Sequence, residues 1–152
     1  MIVISAADQT AASSIATNMR REDLNEIQAI GVPDPHEALC KGMAQSKPEC
    51  YVASVKEVPI AMFGVVPFDD EPKFGSIWLL GTDQIKEVPI SFLKKSRKVL
   101  PAIIEPYEMV CNVVDKRNEV HIKWIKWLGF SFIRETICGP ENRPFYEFAR
   151  LN

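Results

Sequence analysis

The spacing of the apolar residues changes twice in the middle of the chain, and this limits the fold more than any other feature. Glu49 to Lys56 (ECYVASVK) and Val58 to Pro67 (VPIAMFGVVP) are β-rich runs that meet at Glu57, the pattern of an antiparallel hairpin. Gly75 to Gly81 (GSIWLLG) is a third run, apolar enough for a central strand. From Pro89 to Glu105 the period becomes helical. Phe92, Leu93, Ser96, Val99, Leu100, Ile103 and Ile104 share one face, and Lys94, Lys95, Arg97 and Lys98 occupy the other. Strand character returns at Met109 to Val114 (MVCNVV). A chain that switches in this way has to layer helices on a sheet, because neither kind of face can be buried alone.

The flanks continue the alternation. Met1 to Ala7 reads as a first strand, Asp8 to Thr10 supplies helix caps, and Ala11, Ile15 and Met19 form a helical stripe. A second helix runs from Asp23 through Leu24, Ile27 and Ile30 to the terminator Gly31. Pro35 then suits the first position of a helix from His36 to about Ser46. Thr82 to Glu87 reads as a polar loop, and Pro101 is expected to kink or divide the long basic helix. Asp115 to Asn118 turns into a helix whose apolar side is assigned Val120, Trp124, Trp127 and Leu128. Two strands, Phe130 to Cys138 and Phe145 to Arg150, surround a Gly139-Pro140 turn. The order is β, α, α(α), β, β, β, α, β, α, β, β. It describes one α/β domain over residues 1–152 with a mixed central sheet and flanking helices.

Composition narrows the function classes. With 18 basic and 20 acidic side chains the formal charge is −2, so no chain-wide basic excess points to nucleic acid or a membrane surface. Apolar stretches such as Pro59 to Phe68 fall short of the ~20 residues that cross a bilayer. The start of the chain lacks the basic and long apolar regions of a secretory signal, so a protein that is not secreted is expected. Cys40, Cys50, Cys111 and Cys138 lie far apart, with two histidines in the chain, so reduced, buried thiols and no metal site are expected.

Near the C-terminus the segment Asn118-Glu119-Val120-His121-Ile122-Lys123-Trp124-Ile125-Lys126-Trp127-Leu128-Gly129-Phe130 carries a resemblance. An asparagine that opens a helix after the fifth strand, with Gly-Phe eleven and twelve residues later, resembles the GNAT superfamily of acyl-CoA N-acyltransferases. A narrower likeness rests on Trp78-Leu79-Leu80-Gly81-Thr82-Asp83, His121-Ile122-Lys123-Trp124, Met62-Phe63-Gly64-Val65 and Asp34-Pro35-His36-Glu37-Ala38-Leu39. These segments are similar to a family of small tailed-phage proteins known both as GNAT-like acetyltransferases and as internal virion protein A. The resemblance implies a GNAT-like fold, acetyl-CoA or CoA as donor, and an amine acceptor on a small molecule or protein. It also implies virion proteins as partners, and a place in the host cytoplasm or the virion interior.

On the GNAT pattern the backbone of Leu79, Leu80, Gly81 and Thr82 would hold the thioester, and Asn118 would help hold the cofactor. Two departures stand out. The loop Gly81-Thr82-Asp83-Gln84-Ile85-Lys86-Glu87-Val88-Pro89-Ile90 has no glycine after Gly81, carries Asp83 and Glu87, and loses an N–H donor at Pro89. It is a degenerate version of the glycine-rich loop that presents amides to a diphosphate at a helix N-terminus. The position of the usual general-acid tyrosine, seven residues after Asn118, is Ile125. His121 is the nearby candidate acid or base, with a core histidine as the alternative. Asn118 is equally read as an N-cap. Lys94, Lys95, Arg97 and Lys98 suit either a 3′-phosphate, an acidic partner or plain solvation. Two function classes follow: an N-acyltransferase with a degenerate site, or a non-catalytic virion or host-interaction protein that retains the fold.

Overall fold

The computed structural model describes residues 1–152. The strands are β1 (Ile2–Ala6), β2 (Tyr51–Val55), β3 (Val58–Pro67), β4 (Phe74–Gly81), β5 (Met109–Asp115), β6 (Ser131–Cys138) and β7 (Arg143–Leu151). The helices are α1 (Gln9–Thr17), α2 (Arg21–Ala29), α3 (Pro35–Gln45), α4 (Pro89–Ile104) and α5 (Glu119–Trp127). The seven strands form one mixed sheet in the order β1-β2-β3-β4-β5-β7-β6, and β4–β5 is its single parallel pair. The expected α/β architecture is therefore the one observed.

Local chemistry explains most element ends. The Asp8 side chain accepts the Ala11 N–H at 2.8 Å at the start of α1, and Asp34 accepts from His36 ahead of α3, with Pro35 in the first turn. Lys56 and Glu57 take φ of 50° and 67° in the two-residue turn between β2 and β3, the left-handed pair that a tight hairpin requires. Gly31, at φ 92°, ends the α2 segment.

Helices cover both faces of the sheet. On one side Ala12 and Ile15 of α1, Ile27 of α2 and Leu39 of α3 bury Val52 and Met62, with Trp78 and Leu80 of β4 packed against them. On the other, Leu100, Ile103 and Ile104 of α4 and Ile125 and Leu128 of α5 bury Val110, Val114 and Phe148. Successive residues of β4 thus alternate between the two layers, with Ile77 and Leu79 turned toward α4 and α5.

Four expectations are corrected. Met19 lies beyond the end of α1, where a single bridge to Thr82 recruits it into the sheet margin. The Thr82–Glu87 loop is a 3₁₀ turn over Asp83–Glu87, because the Thr82 side chain caps it by accepting the Gln84 N–H. Helix α4 runs undivided through Pro101, since Leu100, Ile103 and Ile104 on either side of the proline are anchored in the same core. In α5 the buried positions are His121 and Ile125, followed by Leu128, whereas Val120 and Trp127 are half exposed. The Trp127 ring instead carries the Arg97 guanidinium 4.5 Å from its centroid, which makes it a surface contact between α5 and α4.

Candidate active site

The parallel ladder between β4 and β5 is short. It pairs Phe74 with Met109, Gly75 with Val110 and Ser76 with Cys111, and then ends. Beyond it β4 stays on β3 as far as Gly81, and β5 stays on β7 as far as Asp115, so the two central strands part in a V. Asn112 sits at the fork. Its Nδ2 donates to the Ile77 carbonyl at 2.5 Å, and its Oδ1 accepts the Val113 N–H at 2.8 Å. A side chain thus satisfies backbone groups that the diverging strand can no longer reach.

Backbone alternation decides which groups of β4 face the V. The Thr82 N–H donates to Ile60 of β3 at 2.9 Å, so Thr82, and Leu80 with it, point their backbone groups toward β3. Ile77, Leu79 and Gly81 point toward the V. The Ile77 carbonyl is taken by Asn112, the Gly81 N–H donates to Asp23 Oδ2 at 2.9 Å, and the Gly81 carbonyl accepts from the Arg20 N–H at 2.9 Å. Leu79 remains as the residue whose N–H and C=O face the V with no strand opposite. A cavity of about 430 Å³ opens at this point and passes through the sheet. Phe92, Lys95 and Trp124 line it on the α4–α5 side, and Ile27, Trp78 and Val113 on the α1–α3 side. The Trp124 Nε1–H is buried and has no partner.

The wide end of the V is closed by a polar clasp. Arg20, 1% exposed, donates from Nη1 to Asp23 Oδ1 at 3.0 Å and to His121 Nε2 at 2.9 Å, and from Nη2 to Glu22 at 2.9 Å. Asn118 donates from Nδ2 to Glu26 Oε2 at 3.0 Å, and the Asp115 N–H reaches Glu26 Oε1 at 3.4 Å. Asp23 therefore ties β4 to α2, while Glu26 ties α2 to β5 and α5. Asp23, Glu26 and His121 bring one ligand atom each within 4.8 Å of one another, the spacing of a metal site. The Arg20 guanidinium lies among them and supplies the positive charge in place of an ion.

The clasp sets the protonation of its members. Arginine donates and cannot accept, so the nitrogen it bonds, His121 Nε2, carries the lone pair and Nδ1 carries the hydrogen. Burial holds the imidazole pKa down, and the Arg20 charge adds to this against the opposing pull of Asp23. His121 is thus a neutral ring that lines the cavity and whose Nδ1–H has no protein partner. Glu26 moves the other way. Burial, then the neighbouring Asp23 charge, raise its pKa to about 8, above the opposing hydrogen bond from Asn118. At Asp115 burial acts upward, but the hydrogen bonds from Arg117 prevail and hold the carboxyl below its ordinary value.

The residues singled out in the sequence thus have distinct places. Leu79 and His121 both border the cavity, as does the Leu80 side chain on the opposite face. The Gly81 backbone is used by Asp23 and Arg20, and the Thr82 backbone by β3. Asn118 stands at the α5 N-cap position but makes no side-chain cap, bonding Glu26 instead. Ile125 is in the core. Of the basic face, Lys95 lines the cavity, while Lys94, Arg97 and Lys98 are exposed. Lys86 is 3.5 Å from both Glu22 and Asp83. Sequence reading missed Arg20, Asp23, Glu26 and Asn112. The available signal was two carboxylates, Asp23 and Glu26, spaced with Ile27 and Ile30 inside the apolar stripe of α2.

Trp78 holds the α1–α3 wall of the cavity by donating Nε1–H to Ser46 Oγ at 2.9 Å. Ser46→Ala leaves that indole donor without an acceptor, for an expected loss of about 1–2 kcal/mol in urea unfolding.

No protein-family model matches the chain, and no curated protein matches it in sequence. Solved structures do match. A GCN5-related N-acetyltransferase from Kribbella flavida aligns with TM-score 0.72 and 16% identity over 99% of this chain and 98% of that one. A GNAT-family acetyltransferase from Bacillus anthracis gives 0.72 and 10% identity over 99% and 94%. An aminoglycoside acetyltransferase solved with coenzyme A gives 0.68 and 13% identity over 100% and 95%. The fold is that of the GNAT acetyltransferases.

Proposed function

We propose that the chain is a GNAT-type N-acyltransferase that moves an acyl group from an acyl-CoA thioester to an amine. The observation that carries this reading is the V between β4 and β5, with Leu79 as its backbone edge and a cavity passing through it. In this reading the thioester arm occupies the V from the α4–α5 side. The Leu79 N–H and the His121 Nδ1–H donate to the carbonyl oxygen on which negative charge develops, and the unpartnered Trp124 Nε1–H donates to an amide of the arm. Of the acid and base roles open to a histidine, this reading gives His121 that of a donor, held in one tautomer by Arg20. The β4–α4 connection fits the phosphates less well. Its 3₁₀ turn uses the Gln84, Ile85 and Val88 amides internally, and Pro89 supplies none. Lys95 at the cavity wall would take up part of that charge.

The same loop, together with the use of the Gly81 backbone by Asp23 and Arg20, favours a second reading: a non-catalytic virion or host-interaction protein. In either role the resemblance of the Trp78–Asp83 and His121–Trp124 segments to small tailed-phage proteins supports a location in the host cytoplasm or the virion interior. Titration calorimetry with acetyl-CoA and CoA separates the two. Binding accompanied by a thermal shift is expected, and absence of both at millimolar ligand would overturn the acyltransferase reading in favour of the second.

A further inference from the structure

We propose that Glu26 takes the proton of the acceptor, and that the acceptor is a small primary amine on an apolar, aliphatic or aromatic body. The inference rests on the acyl-transfer reading and concerns the half of the cavity opposite the donor. Glu26 is the single acid of the cavity wall. Its carboxyl stands within 4.8 Å of a ligand atom of His121, at the end of the V bounded by Gly81 on β4 and Asp115 on β5. It is attached to α2, so it reaches the V from the side away from α4 and α5.

The rest of that side selects the body of the acceptor. Ile27, Ile30, Trp78, Val113 and Phe145 line it, with Lys41 and Gln45 the polar residues nearby. A polyamine or aminoglycoside would bring several cations into this surface and find one carboxylate, leaving the others desolvated without a partner. An amine with a single charge pairs it with Glu26 and lays its apolar body on the apolar wall, so no cation is left without a partner.

The proton steps balance as follows. The entering ammonium gives one proton to the Glu26 carboxylate and becomes a neutral amine. Its lone pair forms the C–N bond while the C–S bond breaks, and the electron pair of that bond leaves on sulfur. The second nitrogen proton ends on the sulfur as the thiol, and Glu26 returns the first to solvent. The groups facing Glu26 are Asp23 on its own helix, Arg20 ahead of it, Asp115 with its partner Arg117 at the end of β5, and Asn118 and His121 on α5. The ionised carboxylate is the working form, so the rate rises with pH through the value near 8 that this setting gives Glu26.

The test uses the full chain with acetyl-CoA as donor and reads acetylated product by mass. The panel is 2-phenylethylamine and hexylamine against spermidine and a lysine peptide. The apolar amines are expected to lead in kcat/KM by about tenfold or more. Glu26→Gln is expected to lower kcat/KM by about a hundredfold or more with unchanged acetyl-CoA affinity, to flatten the pH profile, and to be partly rescued by Glu26→Asp. A Gln variant as active as the wild type, or preference for spermidine or the peptide, overturns the proposal. A second arm omits the donor and follows tryptophan fluorescence, since Trp78 and Trp124 line the cavity. Binding of 2-phenylethylamine at pH 9 that weakens in Glu26→Gln supports the acceptor site even if acetyl-CoA fails to bind. Acetyl-CoA binding without any amine binding or turnover overturns the acceptor proposal and leaves the donor reading standing.

Discussion

Asp23→Ala is expected to destabilise the protein by about 3–5 kcal/mol, the loss typical of removing one partner from a buried ion pair. Asp23 is fully buried and does three jobs at once. It neutralises the buried Arg20, it accepts the Gly81 N–H at the end of β4, and it accepts from Asn118 Nδ2 at 3.5 Å. Alanine would leave the guanidinium with Glu22 as its one carboxylate partner, although Arg20 Nε already has none. It would also strand a buried backbone donor. Asp23→Asn keeps an acceptor for Gly81 and removes only the charge, so its loss should be intermediate. Urea unfolding of the three proteins at neutral pH measures both. A loss below about 1 kcal/mol in Asp23→Ala would show that the clasp does not hold the V.

Glu26→Gln is expected to do the opposite: to stabilise the fold at pH 8 by about 2–4 kcal/mol while leaving it nearly unchanged at pH 4. The sign follows from proton binding. In the unfolded chain Glu26 releases its proton near 4.5, whereas in the fold it holds it to about 8. Between those values the folded state binds more protons than the unfolded one. Stability that is fully present below the unfolded pKa is therefore lost as pH rises through the folded one. The whole interval corresponds to about 5 kcal/mol at 1.4 per pH unit, and we discount it because Glu26 is half-buried against a cavity that admits water. Glutamine cannot ionise and keeps an acceptor for the Asn118 Nδ2. Stability curves of the two proteins should therefore converge at low pH and separate steadily up to pH 8. Parallel curves would mean that Glu26 titrates normally. A group that destabilises the fold at working pH is usually retained for its chemistry. The same variant should thus be more stable and less active, which rules out unfolding as the cause of lost activity.

Where chain order and local chemistry decide the structure, the residues could be read directly. The β2–β3 hairpin, the helix start at Pro35 and the basic amphipathic helix follow from spacing and side-chain type, because each is closed by contacts within a few residues. Errors arose where a distant partner competed with local pattern. Met19 continued the stripe of α1 on paper, but the bridge to Thr82 draws it out of the helix. Val120 and Trp127 looked inward by hydrophobicity, but α5 is turned by the burial of His121 and by the pull of Arg97 on the Trp127 ring. Asn118 had the chemistry of a cap, yet its amide is spent on Glu26.

The amino-acid sequence by itself determined the order of strands and helices, the apolar β4 that forms one arm of the V, and the absence of a tyrosine at Ile125 and of glycines after Gly81. Those are properties of single positions and of short-range periodicity. Only the tertiary structure decided that the strands part after Ser76, that Leu79 keeps its backbone groups for the V, and that Arg20, Asp23 and Glu26 meet Asn118 and His121. The physical reason is separation along the chain. Asp23 and Asn118 are 95 residues apart, and Arg20 and His121 are 101 apart. Polar groups so distant have no local signature until the sheet brings α2 over the ends of β4 and β5.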